Sequence, residues 1–212
     1  MDSQEMNLRL QIVEVCKKLH NGGLIAAGDG NVSCRMDKES ILITPGGVSK
    51  ADIAPREVAK TDMGATLLEG PLKPSSEIRM HLLVYKMRPE VSAIVHAHPP
   101  IATAFTIAGL AFDSKVLPEV WLTLGKVALA PYATPASEEV ARAIEPHVAD
   151  SRAILLERHG AVTFGRDLCQ AWMRMEKLEH FARTLFHASM LLGCKAPENL
   201  TREQLSKLGA VA

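Results

Sequence analysis

The sequence predicts one layered α/β domain, a sheet with helices on its faces, and three observations carry that expectation. Helix-period and strand-like segments alternate along the chain, as they do when helices pack against a sheet. Two continuous apolar runs, KVALA and AILLE, read as central strands covered on both faces. The 212 residues contain no repeat and no low-complexity stretch, so a single well-buried core suffices.

Each element has its own signal. Apolar Leu8, Ile12, Val15, Cys16 and Leu19 recur with a helical period, which stops at Asn21-Gly22-Gly23. NVSCRM and SILIT read as short strands before the turn Thr44-Pro45-Gly46-Gly47, and TDMGATLLEGPLK as a hairpin. Pro74-Ser75-Ser76 introduces a helix, EIRMHLLVYKM, that must end before Pro89. VSAIV is a buried strand running into His96, and Pro99-Pro100 starts the helix IATAFTIAG. Between KVALA and AILLE, SEEVARAIEPHV reads as a short helix. A long amphipathic helix, DLCQAWMRMEKLEHFARTLFHASMLLG, precedes a polar tail. On that helix Glu176, Glu179, His180 and Arg183 read as a solvated face or a subunit contact.

Composition excludes several classes. The 24 Lys+Arg balance 24 Asp+Glu, so the basic footprint of a nucleic-acid binder is missing. Cys16, Cys34, Cys169 and Cys194 show no C-x-x-C spacing and read as reduced thiols of a cytoplasmic protein. The polar N-terminus MDSQEMNLRLQ has no signal-peptide stretch, and no apolar run is long enough to span a bilayer. No membrane partner is expected.

The chemistry-bearing residues are few. His96 and His98, at i and i+2 on a strand, point the same way, as two ligands of one divalent ion must. A catalytic site of that kind takes about three protein ligands, and His159, directly after AILLE, is the best third. The plainer alternative is that each histidine hydrogen-bonds a backbone group. Ser75, Ser76 and Glu77 likewise read as helix caps, or as a phosphate seat with a general base beside it. The loops Gly28-Asp29-Gly30-Asn31 and Thr44-Pro45-Gly46-Gly47 match no dinucleotide or P-loop fingerprint. His81, one turn beyond Glu77 on the same helix face, is placed to support it. His20, His147 and His187 read as surface or boundary residues.

Taken together, GNVSCR, LITPGG, PSSEIRMH, AIVHAHPP, APYATP and LLERHGAVTFG resemble the zinc-dependent class II aldolase/adducin family, in its order and across residues 8–190. The resemblance implies a single domain over residues 1–212, with 199–212 a flexible tail. Its architecture would be three-layered, a central mainly antiparallel sheet between helices. His96, His98 and His159 would bind one Zn²⁺ per subunit, other divalent ions being alternatives. Glu77 would move the proton at C3 and ligate the metal when no substrate is present. Asn31, Thr44, Gly46, Ser75 and Ser76 would hold the substrate phosphate.

The implied activity is a ketose 1-phosphate aldolase, acting on L-fuculose 1-phosphate or a related deoxy-sugar phosphate. It would release an aldehyde and dihydroxyacetone phosphate through a metal-stabilised enediolate, in a cytoplasmic homotetramer. Glu at position 77 resembles the aldolases rather than the epimerases, which carry Asp there. Decarboxylation of a 3-oxo-tetronate phosphate, methylthioribulose-phosphate dehydration and a non-catalytic adducin-like binding module are the alternatives. The sequence departs from the fuculose-phosphate aldolases at the tyrosines that serve the C4 oxygen, having only Tyr85 and Tyr132. Glu119 is the candidate left for that role.

Overall fold

A computed structural model describes residues 2–209. Helix α1 (Ser3–Asn21) leads into strands β1 (Asn31–Arg35), β2 (Ser40–Ile43), β3 (Ala59–Asp62) and β4 (Leu67–Glu69). Then come α2 (Ile78–Met87), β5 (Ala93–Ala97), α3 (Pro100–Ala108) and α4 (Pro118–Leu124). The remaining elements are β6 (Val127–Ala130), α5 (Glu138–Val148), β7 (Ala153–Leu156), β8 (Gly160–Gly165), α6 (Leu168–Leu191) and α7 (Arg202–Gly209).

The eight strands form one sheet in the order β4-β3-β2-β1-β5-β8-β7-β6. Neighbours are antiparallel except β6 and β7, which are parallel and joined through α5, the crossover that a parallel pair needs. Alternation along each strand divides the core in two. Val32, Cys34, Ala93 and Val95 pack with α1, α3, α4 and α6. Ile41, Ile43, Ile94, Val162 and Phe164 pack with α2 and α5. The result is the three-layer, mainly antiparallel arrangement expected. Asn31 and Ser33 alternate with Val32 and Cys34, so they lie on the α2 side. Register pairs them with His96 and Ile94 of β5. That face, with His96 on it, carries the candidate site residues of β1 and β5.

Several expectations are corrected. KVALA is an edge strand rather than a central one, with Leu129 49% exposed. Of the two apolar runs only AILLE, in the fully buried β7, sits inside the sheet. GAVTFG, which has a glycine at each end, forms the internal strand β8. VLPEVWLTLG contains α4, started by Pro118 at its first position. Residues 202–209, within the expected tail, are helical, with Leu200 N donating to Lys115 O at 3.0 Å. All four cysteines are free, and burial pushes Cys16 and Cys34 up to about 12. Among the described residues no helix is long and apolar enough to cross a membrane.

Glu179 is not on a solvated face. It is 2% exposed and accepts from Ile101 N and Ala102 N at 3.0–3.1 Å. Helix α3 follows Pro99, which offers no side-chain cap, so a carboxylate from α6 satisfies its first donors instead. Because α3 begins two residues after His98, this contact also anchors the end of the histidine segment. Glu179→Ala should lose about 2 kcal/mol of stability by leaving buried N–H groups unpartnered, read as a lower urea midpoint with an unchanged m-value.

Candidate metal centre and its carboxylate

Three separate pieces of chain deliver the site. β5 carries His96 on its α2-facing side and ends just before His98. Glu77 stands at the start of α2, with φ −92° and ψ 10°, and its N–H donates to Ser75 Oγ at 3.3 Å. His159 occupies the three-residue turn between β7 and β8. There Arg158 adopts a left-handed φ of 57°, and its N–H donates to Thr106 Oγ1 at 3.0 Å.

The side chains converge. His96 Nε2 lies 3.1 Å from Glu77 Oε2, and His159 Nε2 lies 3.2 Å from Glu77 Oε1. His98 Nε2 is 3.2 Å from His96 Nε2, and one nitrogen from each of the three rings lies within 4.8 Å of the others. Their partners set the protonation. His96 Nδ1 donates to Ala161 O at 3.0 Å, and His98 Nδ1 faces Asp29 Oδ2 at 3.4 Å. Each partner can only accept, so the proton sits on Nδ1 and each Nε2 presents a lone pair. Two lone pairs aimed at each other repel unless a positive charge lies between them. In addition, Glu77 Oε1 is buried without a hydrogen-bond partner. These observations fit a divalent cation held by His96, His98 and His159 with Glu77 alongside, a nitrogen-and-oxygen set suited to zinc-like ions.

The local electrostatics agree. Burial opposes charge on Glu77, but His96 and His159 outweigh it and hold the carboxyl far below the usual carboxylate range. Burial pushes His98 down to about 4, leaving a neutral ring available as a ligand.

Gly160 makes this packing possible. A Cβ there would run into Ala97 O and lie 2.9 Å from His98 Cδ2. Gly160→Ala should therefore displace His98 and weaken cation affinity by about 10- to 100-fold, the range seen when a ligand loses its support. Competition with a calibrated chelator measures it.

The remaining expected residues fall into two groups. Asn31, 3% exposed, donates from Nδ2 to Glu77 Oε2 at 2.8 Å. Thr44, Gly46, Ser75 and Ser76 share one corner: Ser75 N donates to Thr44 O at 3.1 Å, and a bridge joins Pro45 to Pro74. A Cβ on Gly46 would sit 3.7 Å from Ser75 Cα and 3.9 Å from Ser76 N. Thr44 is wholly buried, with Oγ1 accepting from Val32 N at 3.2 Å, whereas Ser76 is exposed. Glu119 is exposed on α4.

The role of Asp29 escaped the sequence. Extending the β1–β5 register from the Asn31–His96 pair by two residues places Asp29 opposite His98, a signal visible only once that pairing is known. Lys50 was also missed: 1% exposed, it donates to Gly28 O and Val48 O at 2.9 Å each. It thereby ties the two glycine loops together.

Comparison with known proteins points one way. A family model described as Class II Aldolase and Adducin N-terminal domain matches residues 10–186. The chain is 33% identical to an L-fuculose phosphate aldolase of Methanococcus maripaludis, over 82% of this chain and 93% of that protein. It is 30% identical to a 3-oxo-tetronate 4-phosphate decarboxylase of Escherichia coli, over 96% of each. The crystal structure of L-fuculose-1-phosphate aldolase from Thermus thermophilus superposes with a TM-score of 0.77 at 31% identity, covering 90% of this chain and 98% of that one.

Proposed function

Because the chain belongs to the class II aldolase and adducin family, we propose that it is a zinc-dependent lyase that forms dihydroxyacetone phosphate from a phosphorylated sugar. One observation carries this reading: three histidines from two distant segments converge with Glu77 on a single point. A cation held there supplies a Lewis acid to the substrate carbonyl. Glu77 does the proton work at the neighbouring carbon. In ketose 1-phosphate cleavage the C4 hydroxyl loses its proton, the C3–C4 bond breaks and an aldehyde leaves. The released proton reaches Glu77 through solvent, and Glu77 then delivers it to C3 of the remaining enediolate, so protons balance over the cycle. In this proposal Asn31, Gly46, Ser75 and Ser76 seat the phosphate near the start of α2, and Thr44 supports that corner through its backbone. The relatives named as L-fuculose phosphate aldolases support L-fuculose 1-phosphate or a similar deoxy-sugar phosphate as substrate. The cytoplasmic homotetramer belongs to the same proposal. Light scattering at four times the 23.0 kDa chain mass checks its assembly.

A second reading, decarboxylation of a 3-oxo-tetronate 4-phosphate, has its own support. Loss of carbon dioxide leaves the same enediolate and needs no group to take a proton from a C4 hydroxyl. The chain's two tyrosines do not by position serve the C4 oxygen as those of the aldolases do: Tyr85 is buried behind Ser33, and Tyr132 is exposed with its N–H on Glu157. The end-to-end match to the decarboxylase adds weight.

Both readings require Glu77 to exchange one hydroxymethyl hydrogen of dihydroxyacetone phosphate. Zinc-loaded protein in D₂O should exchange one of the two stereospecifically, as seen by proton NMR; retention of both overturns the proposal. L-Fuculose 1-phosphate and 3-oxo-tetronate 4-phosphate, offered separately, then distinguish aldehyde release from carbon dioxide release.

A further inference from the structure

Glu77, immediately before α2, and His81 and Tyr85 on it are spaced by four and form one stripe facing the sheet. Beneath them Asn31 and Ser33 project from β1. The contacts form an unbroken chain: Tyr85 Oη to Ser33 Oγ at 2.8 Å, Ser33 Oγ to His81 Nδ1 at 2.7 Å, His81 Nε2 to Asn31 Oδ1 at 2.5 Å, and Asn31 Nδ2 to Glu77 Oε2 at 2.8 Å.

Each donor follows from the one before it. The Glu77 carboxylate only accepts, so the Asn31 atom facing it must be the nitrogen. The Asn31 oxygen then faces His81, whose Nε2 must carry a proton. In a neutral ring Nδ1 must therefore accept, and Ser33 donates to it. Ser33 has no second proton, so Tyr85 donates to Ser33. The opposite tautomer of His81 would favour a flipped amide, setting the Asn31 oxygen against a carboxylate oxygen.

We propose that His81 is a positioning residue: as a neutral, Nε2-protonated ring it locks the Asn31 amide so that Glu77 Oε2 is held and Oε1 is left to serve the cation and the substrate carbon. This rests on the lyase reading given above. Burial drives His81 down to about 3 and raises Tyr85 well above its ordinary value. The chain therefore keeps one polarity across the neutral range. It also stops at Tyr85, whose ring lies 4.8 Å beneath the Arg35 guanidinium. It orders Glu77 and does not conduct protons to solvent.

The test uses ¹⁵N-labelled, zinc-loaded protein. Long-range ¹H–¹⁵N spectra should show His81 neutral and protonated on Nε2 from pH 6 to 8; an Nδ1-protonated or cationic ring overturns the proposal. This measurement needs no variant and stands even if substitutions fail to fold. His81→Leu should lower turnover of the dihydroxyacetone phosphate exchange at least about tenfold, with KM within about twofold and zinc content unchanged. His81→Gln, whose amide can place an N–H near the lost Nε2, should recover to within about threefold of the parent. Equal turnover in the two variants overturns the positioning role. If the parent and both variants exchange normally while Glu77→Gln does not, this inference fails and the lyase reading survives. If the parent itself does not exchange, the lyase reading fails and the role assigned to His81 falls with it.

Discussion

Glu77→Gln is expected to slow hydrogen exchange on dihydroxyacetone phosphate by about 10²- to 10⁴-fold, the usual contribution of a positioned general base. Glutamine keeps the length and nearly the shape of the side chain, and its carbonyl oxygen can still accept from Asn31 Nδ2, now 2.8 Å from Glu77 Oε2. What it loses is basicity at the atom that lies 3.2 Å from His159 Nε2. The three imidazoles are untouched, so bound zinc should stay near one equivalent. That combination, metal retained and proton transfer lost, separates a base from a ligand. Exchange within about threefold of the parent would remove Glu77 from the chemistry, since a group that carries the proton cannot be lost so cheaply.

His159→Ala is expected to have the next largest effect, on metal retention and therefore on everything downstream. His96 and His98 come from one segment and His159 from another, so its removal leaves two imidazoles where a catalytic site of this type uses about three ligands. Bound zinc after gel filtration should fall below about a tenth of an equivalent, because affinity reflects the complete ligand set. Unfolding supplies an independent readout. Zinc at about a hundredfold over its dissociation constant should stabilise the parent by about 2.7 kcal/mol, and the variant should show little of that gain. The substitution itself is mild for the fold. His159 sits in a turn, its ring contacts lie in the site, and the turn stays held by His159 N to Leu156 O at 3.1 Å and Arg158 N to Thr106 Oγ1. A variant that keeps full zinc would show that His159 is not a ligand.

The sequence alone determined whatever depends on one element's own period or backbone chemistry. Helix α2 had to begin after Pro74-Ser75-Ser76 and end before Pro89. His96 and His98, two residues apart at the end of a strand, had to point the same way. The residue types at 77, 96, 98 and 159 already offered a candidate base and three candidate nitrogen ligands, and the order of the motifs carried the family. What only the tertiary structure decided was pairing between segments far apart in the chain. The β1–β5 register placed Asn31 beneath α2 and Asp29 beside His98. The position of β6 at the sheet edge turned an apolar run into a half-exposed strand, and the packing of α6 on α3 turned Glu179 from an apparent surface charge into a helix cap. The reason is physical. Side-chain periodicity reports which way a residue faces on its own element, whereas the partner it meets there is set by contacts across the sheet and between helices, and for a polar side chain the partner decides the role.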